Sequence, residues 1–230
     1  LSPAEVRKNG AGLDLPIAIG VLAASDQLPG ISLASTTFIG ELGLDGRLRP
    51  TRGALAGALA ARDAGLDRIV VPPECADEVA HLPGIRVVLA ATLAQVVAVL
   101  RGEEPGEVAG PRAHESTTGI LEHDLRDVRG HEFGRFALEV AAAGGHHLAL
   151  VGPPGVGKTL LAERLPGILP DLGDEPALEA AAIHSVAGRP RGDEAFRRPP
   201  FQAPHHSASS AALLGAVHGS RVAPGAVTLA

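Results

Sequence analysis

"VGPPGVGKTL", residues 151–160, decides how the chain is read. Gly152, Gly157, Lys158 and Thr159 fill the phosphate-loop pattern G-x-x-x-x-G-K-[ST], with Pro153, Pro154, Gly155 and Val156 forming the loop between them. The flanks suit the motif: "HHLALV" (146–151) reads as a strand entering the loop and "KTLLAERL" (158–165) as a helix leaving it. Glycines let backbone N–H groups close around a phosphate where side chains would collide, and the positive end of the helix dipole adds to the attraction. In that arrangement Lys158 reaches the β- and γ-phosphates and Thr159 holds Mg²⁺. A Gly/Pro-rich turn can imitate the pattern, but the two matching flanks argue for an ATP or GTP site in an α/β fold.

Upstream of the loop, "HEFGRFALEVAAAGG" (131–145) predicts a helix with an apolar stripe at Phe133, Phe136, Ala137 and Val140, closed by two glycines. Before it, "EEPGEVAGPRAHESTTG" (103–119) loses periodicity and gains Gly, Pro and charge, as an exposed linker does. Boundaries follow at 1–101 for a front domain, 102–119 for the linker and 120–230 for the nucleotide-binding part. In the front domain, helices are expected over 15–25, 52–66 and 92–102, and strands over 35–44, 67–73 and 84–90. Thr92 and Gly102 stand where the last helix needs its caps. Alternation of this kind is an α/β pattern.

Bulk composition narrows the function. The 230 residues include no Met, so Leu1 reads as an internal residue, and the chain reads as a piece cut at both ends. A net charge of -6 argues against a globally basic nucleic-acid coat, and an aromatic content of 2% argues against base-stacking platforms. One cysteine, Cys75, rules out an internal disulfide framework and fits a reducing cytosol. With no apolar run near the ~18 residues that span a bilayer, a cytoplasmic protein without membrane partners is expected. Adjacent His205 and His206 point in different directions and lack ligand-spaced Cys or carboxylate neighbours, so they read as structural or interface residues rather than a zinc site.

The segment 124–172 resembles the opening of an AAA+ ATPase module of the magnesium-chelatase type, and within it the bacterial Mg chelatase-like family also called ComM/YifB-like. Asp124, Asp127, Val128 and Gly130 fill that family's D-x-x-D-V-x-G segment. The resemblance implies that Asp127 and Val128 lie against the adenine, although a capping turn would use the same residues. "RPPFQAPHHSASSAALLGAVHGSRVAPGAVTLA" (198–230) is similar to the family's R-P-F-x-A-P-H-H segment, a small-residue helix and a hairpin. By that likeness residues 217–224 face a ring pore, with His218 and Arg221 as the candidates for phosphate contact. The family implies ATP and Mg²⁺ as cofactors and a homo-oligomeric ring, a hexamer. Its acidic Walker B pair and arginine finger fall beyond residue 230, so no catalytic residue is expected within the chain, and a core sheet lacking its central strand is expected to fold poorly.

The front domain resembles the Lon protease domain, a ribosomal S5 domain 2-like α+β fold. Gly12 stands where that family places its serine and Leu55 where it places its lysine, so peptidase chemistry is not expected. A dyad-free domain of this kind also resembles the C-terminal part of RadA-type recombination ATPases. Arg7, Lys8, Arg47, Arg49 and Arg52 are candidates for a basic patch. Three readings follow from the resemblances: a ring ATPase that translocates single-stranded or branched DNA in branch migration, a chelatase-type motor for metal insertion into a tetrapyrrole, and a protein-remodelling AAA+ chaperone.

Overall fold

The computed structural model describes residues 11–28, 33–108, 123–192, 195–218 and 221–230. Helix α1 (Asp14–Ala24) is followed by short strands β1 (Thr36–Phe38), β2 (Glu41–Leu42) and β3 (Leu48–Arg49), helix α2 (Ala54–Asp63) and strand β4 (Arg68–Val71). Then come α3 (Ala76–Val79), β5 (Arg86–Leu89), α4 (Leu93–Arg101) and β6 (Glu107–Val108). The expected strand over 35–44 divides into β1 and β2 because Gly40 turns the backbone with φ +150°. Thr92 and Gly102 act as read from the sequence: the threonine hydroxyl accepts from Gln95 N–H at 3.2 Å, and Gly102 closes α4 with φ +74°.

The sheet runs in the order β1-β4-β5-β6, parallel from β1 through β5 and antiparallel at β6. Side chains alternate across it, and the two faces carry separate cores. Val70 and Val88 join Leu15 and Ile19 of α1 and Val96 and Leu100 of α4 on one face. Ile69, Val71 and Val87 join Leu55 and Ala58 of α2 and Val79 of α3 on the other.

That second core is completed from far along the chain. Helix α7 (Asp174–Val186) adds Ala177, Leu178 and Ala181, and Phe196 adds its ring. Alanines facing alanines let α2 and α7 approach closely, and Gly53 N–H donates to the Ser185 carbonyl at 3.1 Å where they meet. Arg52, a candidate for the basic patch, folds over the end of α7 instead. A Cβ on Gly188 would sit 2.8 Å from its Nε, and Gly188 has φ +72°. The Phe196 and His81 rings stack with centroids 4.2 Å apart. Arg7 and Lys8 lie outside the described residues.

Residues 123–171 contain α5 (Glu132–Gly144) and α6 (Lys158–Ala162), then a 3₁₀ turn at Leu165–Gly167 that ends the helix earlier than its expected limit of 165. The expected strand 146–151 is absent: the segment has no regular secondary structure and pairs with no strand among the described residues. A strand exists only by its ladder partners, and an apolar run without one stays open; Val151 is 95% exposed. The α/β character of the described chain therefore resides in the front sheet. The stripe expected at Phe133, Phe136 and Val140 faces outward, Phe133 being 84% exposed, while Leu138, Ala141 and Ala142 are buried. Helix α8 (Ser210–Leu214) leads into an antiparallel hairpin of β7 (Gly215–His218) and β8 (Arg221–Pro224). Among the described residues, no helix is long and apolar enough to cross a membrane.

Cys75 is buried beneath α2, and burial, reinforced by the charge of Glu78, pushes its thiol up to about 11 from 9.0. The unfolded chain ionises first, so the contribution of the neutral thiol is complete below about pH 9 and is lost as pH rises toward 11. Two results are expected: no alkylation of the native protein by iodoacetamide at pH 8 over hours, and a Cys75→Ala variant whose melting temperature falls less steeply between pH 9 and 11.

Candidate nucleotide site

A small core fixes the phosphate loop from below. Leu125, Val128, Leu138 and Leu161 are buried together, with Leu150, Leu165 and Ile168 packed around them. Helix α6 comes close to α5 at Gly134, where a Cβ would lie 2.9 Å from Leu161 Cδ1. The loop is thus anchored through Leu150 on its entry and Leu161 on its exit.

Between those anchors residues 152–156 are exposed, and the chain reverses through Gly155 and Gly157, with φ +83° and +84°. Only glycine takes that conformation without strain. Gly152 is also tight, since a Cβ there would meet Val156 Cγ2 at 3.1 Å. Lys158 Nζ donates to the carbonyls of Gly152 and Pro153 at 2.8 and 2.7 Å, which brings the ammonium back across the mouth of the loop. The Thr159 side chain is exposed at the start of α6. Exposed backbone donors, one ammonium and one hydroxyl fit a polyphosphate with its cation, Thr159 supplying a single oxygen. Among the described residues no group of three or more His, Cys, Asp and Glu converges as a metal cluster.

The residues ahead of α5 fall into place by capping. Asp124 Oδ1 accepts from Arg126 N–H at 2.8 Å, and Asp127 Oδ2 accepts from Asp124 N–H at 3.4 Å. The Arg126 backbone bond, aided by its guanidinium 2.7 Å away, holds the Asp124 carboxyl below the usual carboxylate range. Val128 is buried in the small core, so the structure places Asp127 in a cap and Val128 in packing.

The sequence reading missed His131. It begins α5 in a left-handed conformation, φ +54°, and a Cβ on Gly157 would lie 3.3 Å from its Nε2. Its imidazole therefore sits beside the loop, and the available signal was its position directly after Gly130 at a helix start. Elsewhere, His205 and His206 pack with ring centroids 4.1 Å apart, and His205 Nδ1 lies 2.6 Å from the Ser207 hydroxyl. Leu55, at the position of the Lon lysine, is fully buried, and its N–H donates to Glu78 Oε1 at 3.0 Å.

Comparison with known proteins agrees with this anatomy. Residues 124–230 match the family model described as "Magnesium chelatase, subunit ChlI", and residues 1–75 match "Subunit ChlI of Mg-chelatase". An uncharacterized protein of Mycobacterium tuberculosis is 50% identical over 232 residues, covering 100% of this chain and 45% of the relative. YifB of Escherichia coli is 44% identical over 230 residues, covering 100% of this chain and 44% of YifB. Competence protein ComM of Haemophilus influenzae is 40% identical over 233 residues, covering 100% and 45%. A putative lon protease homolog of Methanothermobacter thermautotrophicus is 42% identical over 66 residues, 29% of this chain and 12% of the homolog. The chain spans less than half the length of the YifB and ComM relatives. With its phosphate loop, its Asp124 to Gly130 segment and end-to-end similarity to both proteins, the chain belongs to the Mg chelatase-like family of YifB and ComM.

Proposed function

We propose that the chain is the nucleotide-binding part of an AAA+ ATPase that binds ATP with Mg²⁺ at residues 152–159. The observation that carries this reading is the loop itself: two glycines in left-handed conformation and an ammonium held across its mouth. Lys158 would contact the β- and γ-phosphates, Thr159 the Mg²⁺, and the backbone N–H groups of Gly155, Val156, Gly157 and Lys158 the phosphate oxygens, Pro153 and Pro154 having none to give. Asp127, through its cap, and Val128, through its packing, would hold the 124–130 segment in place beside the adenine without touching it. In the whole protein we assign ATP hydrolysis to a hexameric ring in the cytoplasm that moves single-stranded or branched DNA; the support from the comparisons is limited to similarity to a protein named for competence.

The test is ATP turnover by the whole protein with and without forked DNA. Stimulation of several-fold is expected. Turnover indifferent to DNA would remove the DNA-motor reading and leave the nucleotide site intact. A second reading, a motor subunit for metal insertion into a tetrapyrrole, is favoured by the chelatase descriptions of both matching family models. It requires turnover that responds to a tetrapyrrole-binding partner instead of DNA.

A further inference from the structure

Arg68 and Arg86 open β4 and β5, and the parallel register sets them opposite one another. Residues paired in this way project to the same face, here the face that Val70 and Val88 share with α4. Both line one cleft of about 250 Å³, walled by Val99, Gly102 and Glu104. Among the described residues neither guanidinium makes an ion pair, whereas Arg49, Arg62, Arg101, Arg126 and Arg197 each have one.

Two cations opposite each other in a sheet repel. The C-terminal end of α4 at Gly102 offsets part of that repulsion through its dipole, and Glu104 brings one negative charge, which leaves the cleft net positive. Guanidinium forks match the geometry of phosphate oxygens, and a cleft of this size holds several times the ~30 Å³ share of one water.

We propose that this cleft is a phosphate-binding site, separate from the loop at 152–159, in which Arg68 and Arg86 clamp one phosphate group from two sides. The single carboxylate of Glu104 keeps a second anion out. The phosphate is either a free ion or part of a nucleic-acid backbone, and the two sources share the same contacts.

The experiment uses the full chain carrying Lys158→Ala, which silences the other phosphate site. Inorganic phosphate titrated at constant ionic strength is expected to shift the Arg68 and Arg86 Nε–H NMR signals to saturation. Arg68→Gln with Arg86→Gln should weaken binding at least about tenfold, because each charge-assisted contact is worth about a factor of ten or more. In chloride, that double variant should melt no lower than its parent, since a like-charge pair has been relieved. Arg68→Lys with Arg86→Lys keeps the charge but loses the forks and should fall between. A single-stranded tetranucleotide that binds more tightly than inorganic phosphate, with the same dependence on both arginines, identifies a nucleic-acid strand as the source; equal or weaker binding identifies the free ion. No saturable phosphate response in the Lys158→Ala protein, or an undiminished one in the glutamine variant, overturns the site. Because every arm lacks Lys158, the outcome is independent of whether ATP binds at 152–159.

Discussion

Lys158→Ala is expected to abolish ATP binding and turnover in the whole protein while leaving its fold intact. The Lys158 ammonium contacts two loop carbonyls and makes no ion pair among the described residues, so its loss should change stability by no more than about 0.5 kcal/mol. Its role toward nucleotide is of another order. A lysine on the β- and γ-phosphates supplies charge-assisted contacts worth about 1.5–3 kcal/mol each in binding, and removing one electrostatic stabiliser of a transition state costs about 10²–10³ in rate. Together these put turnover below detection, as measured by phosphate release with a parallel thermal melt. Gly157→Ala provides an independent variant with the lysine present. At φ +84° a Cβ costs about 1–2 kcal/mol in left-handed backbone and presses on His131 Nε2, so the loop must distort and ATP affinity should fall with it. Full turnover by either variant would remove the phosphate-loop assignment.

What was legible in the sequence was local. Helices α1, α2, α4 and α5 and strands β4 and β5 appear where their periodicity and caps put them, because signals such as Thr92 and Gly102 act on their nearest neighbours. The turn at 152–157 was legible for the same reason, since its left-handed backbone is confined to Gly155 and Gly157. Choices made by distant partners were not legible. Helix α5 carries apolar residues on two sides, and only Leu161 and Val128 pressing on Leu138 decide that Phe133 and Phe136 face out. Strand character at 146–151 needed a ladder neighbour that local pattern cannot supply. The one local signal of His131, its place after Gly130 at a helix start, does not reveal its meeting with Gly157 across 26 residues, a distance no spacing rule covers.

The docking of α7 on α2 is the largest such contact, and it makes the second prediction. "DEPALEAAAIHSV" (174–186) has alanines and aliphatics nearly all round, so no stripe told which side would be buried or against what. In the structure Leu178 lies 3% exposed in the core that Leu55, Ile69 and Val71 build on the front sheet. Leu178→Ala removes apolar contact from that core and leaves a cavity, at a cost of about 2–5 kcal/mol. A helix loosely attached to its own unit would lose this locally. Here the core is shared, and Gly53 N–H to Ser185 and Arg52 over Gly188 tie the same two segments, so the loss should reach the front sheet. The expected result is a single thermal transition, lowered as one, with amides of Ile69, Val71 and Val87 exchanging faster than in the parent. Glu179→Ala, on the exposed side of α7, should leave both unchanged. If Leu178→Ala instead speeds exchange only within 174–186 and leaves β4 and β5 protected, α7 does not belong to the front core. Should it behave as expected, any movement of α6 has a route of only about a dozen residues to the front sheet, through the 3₁₀ turn at Leu165–Gly167 into α7.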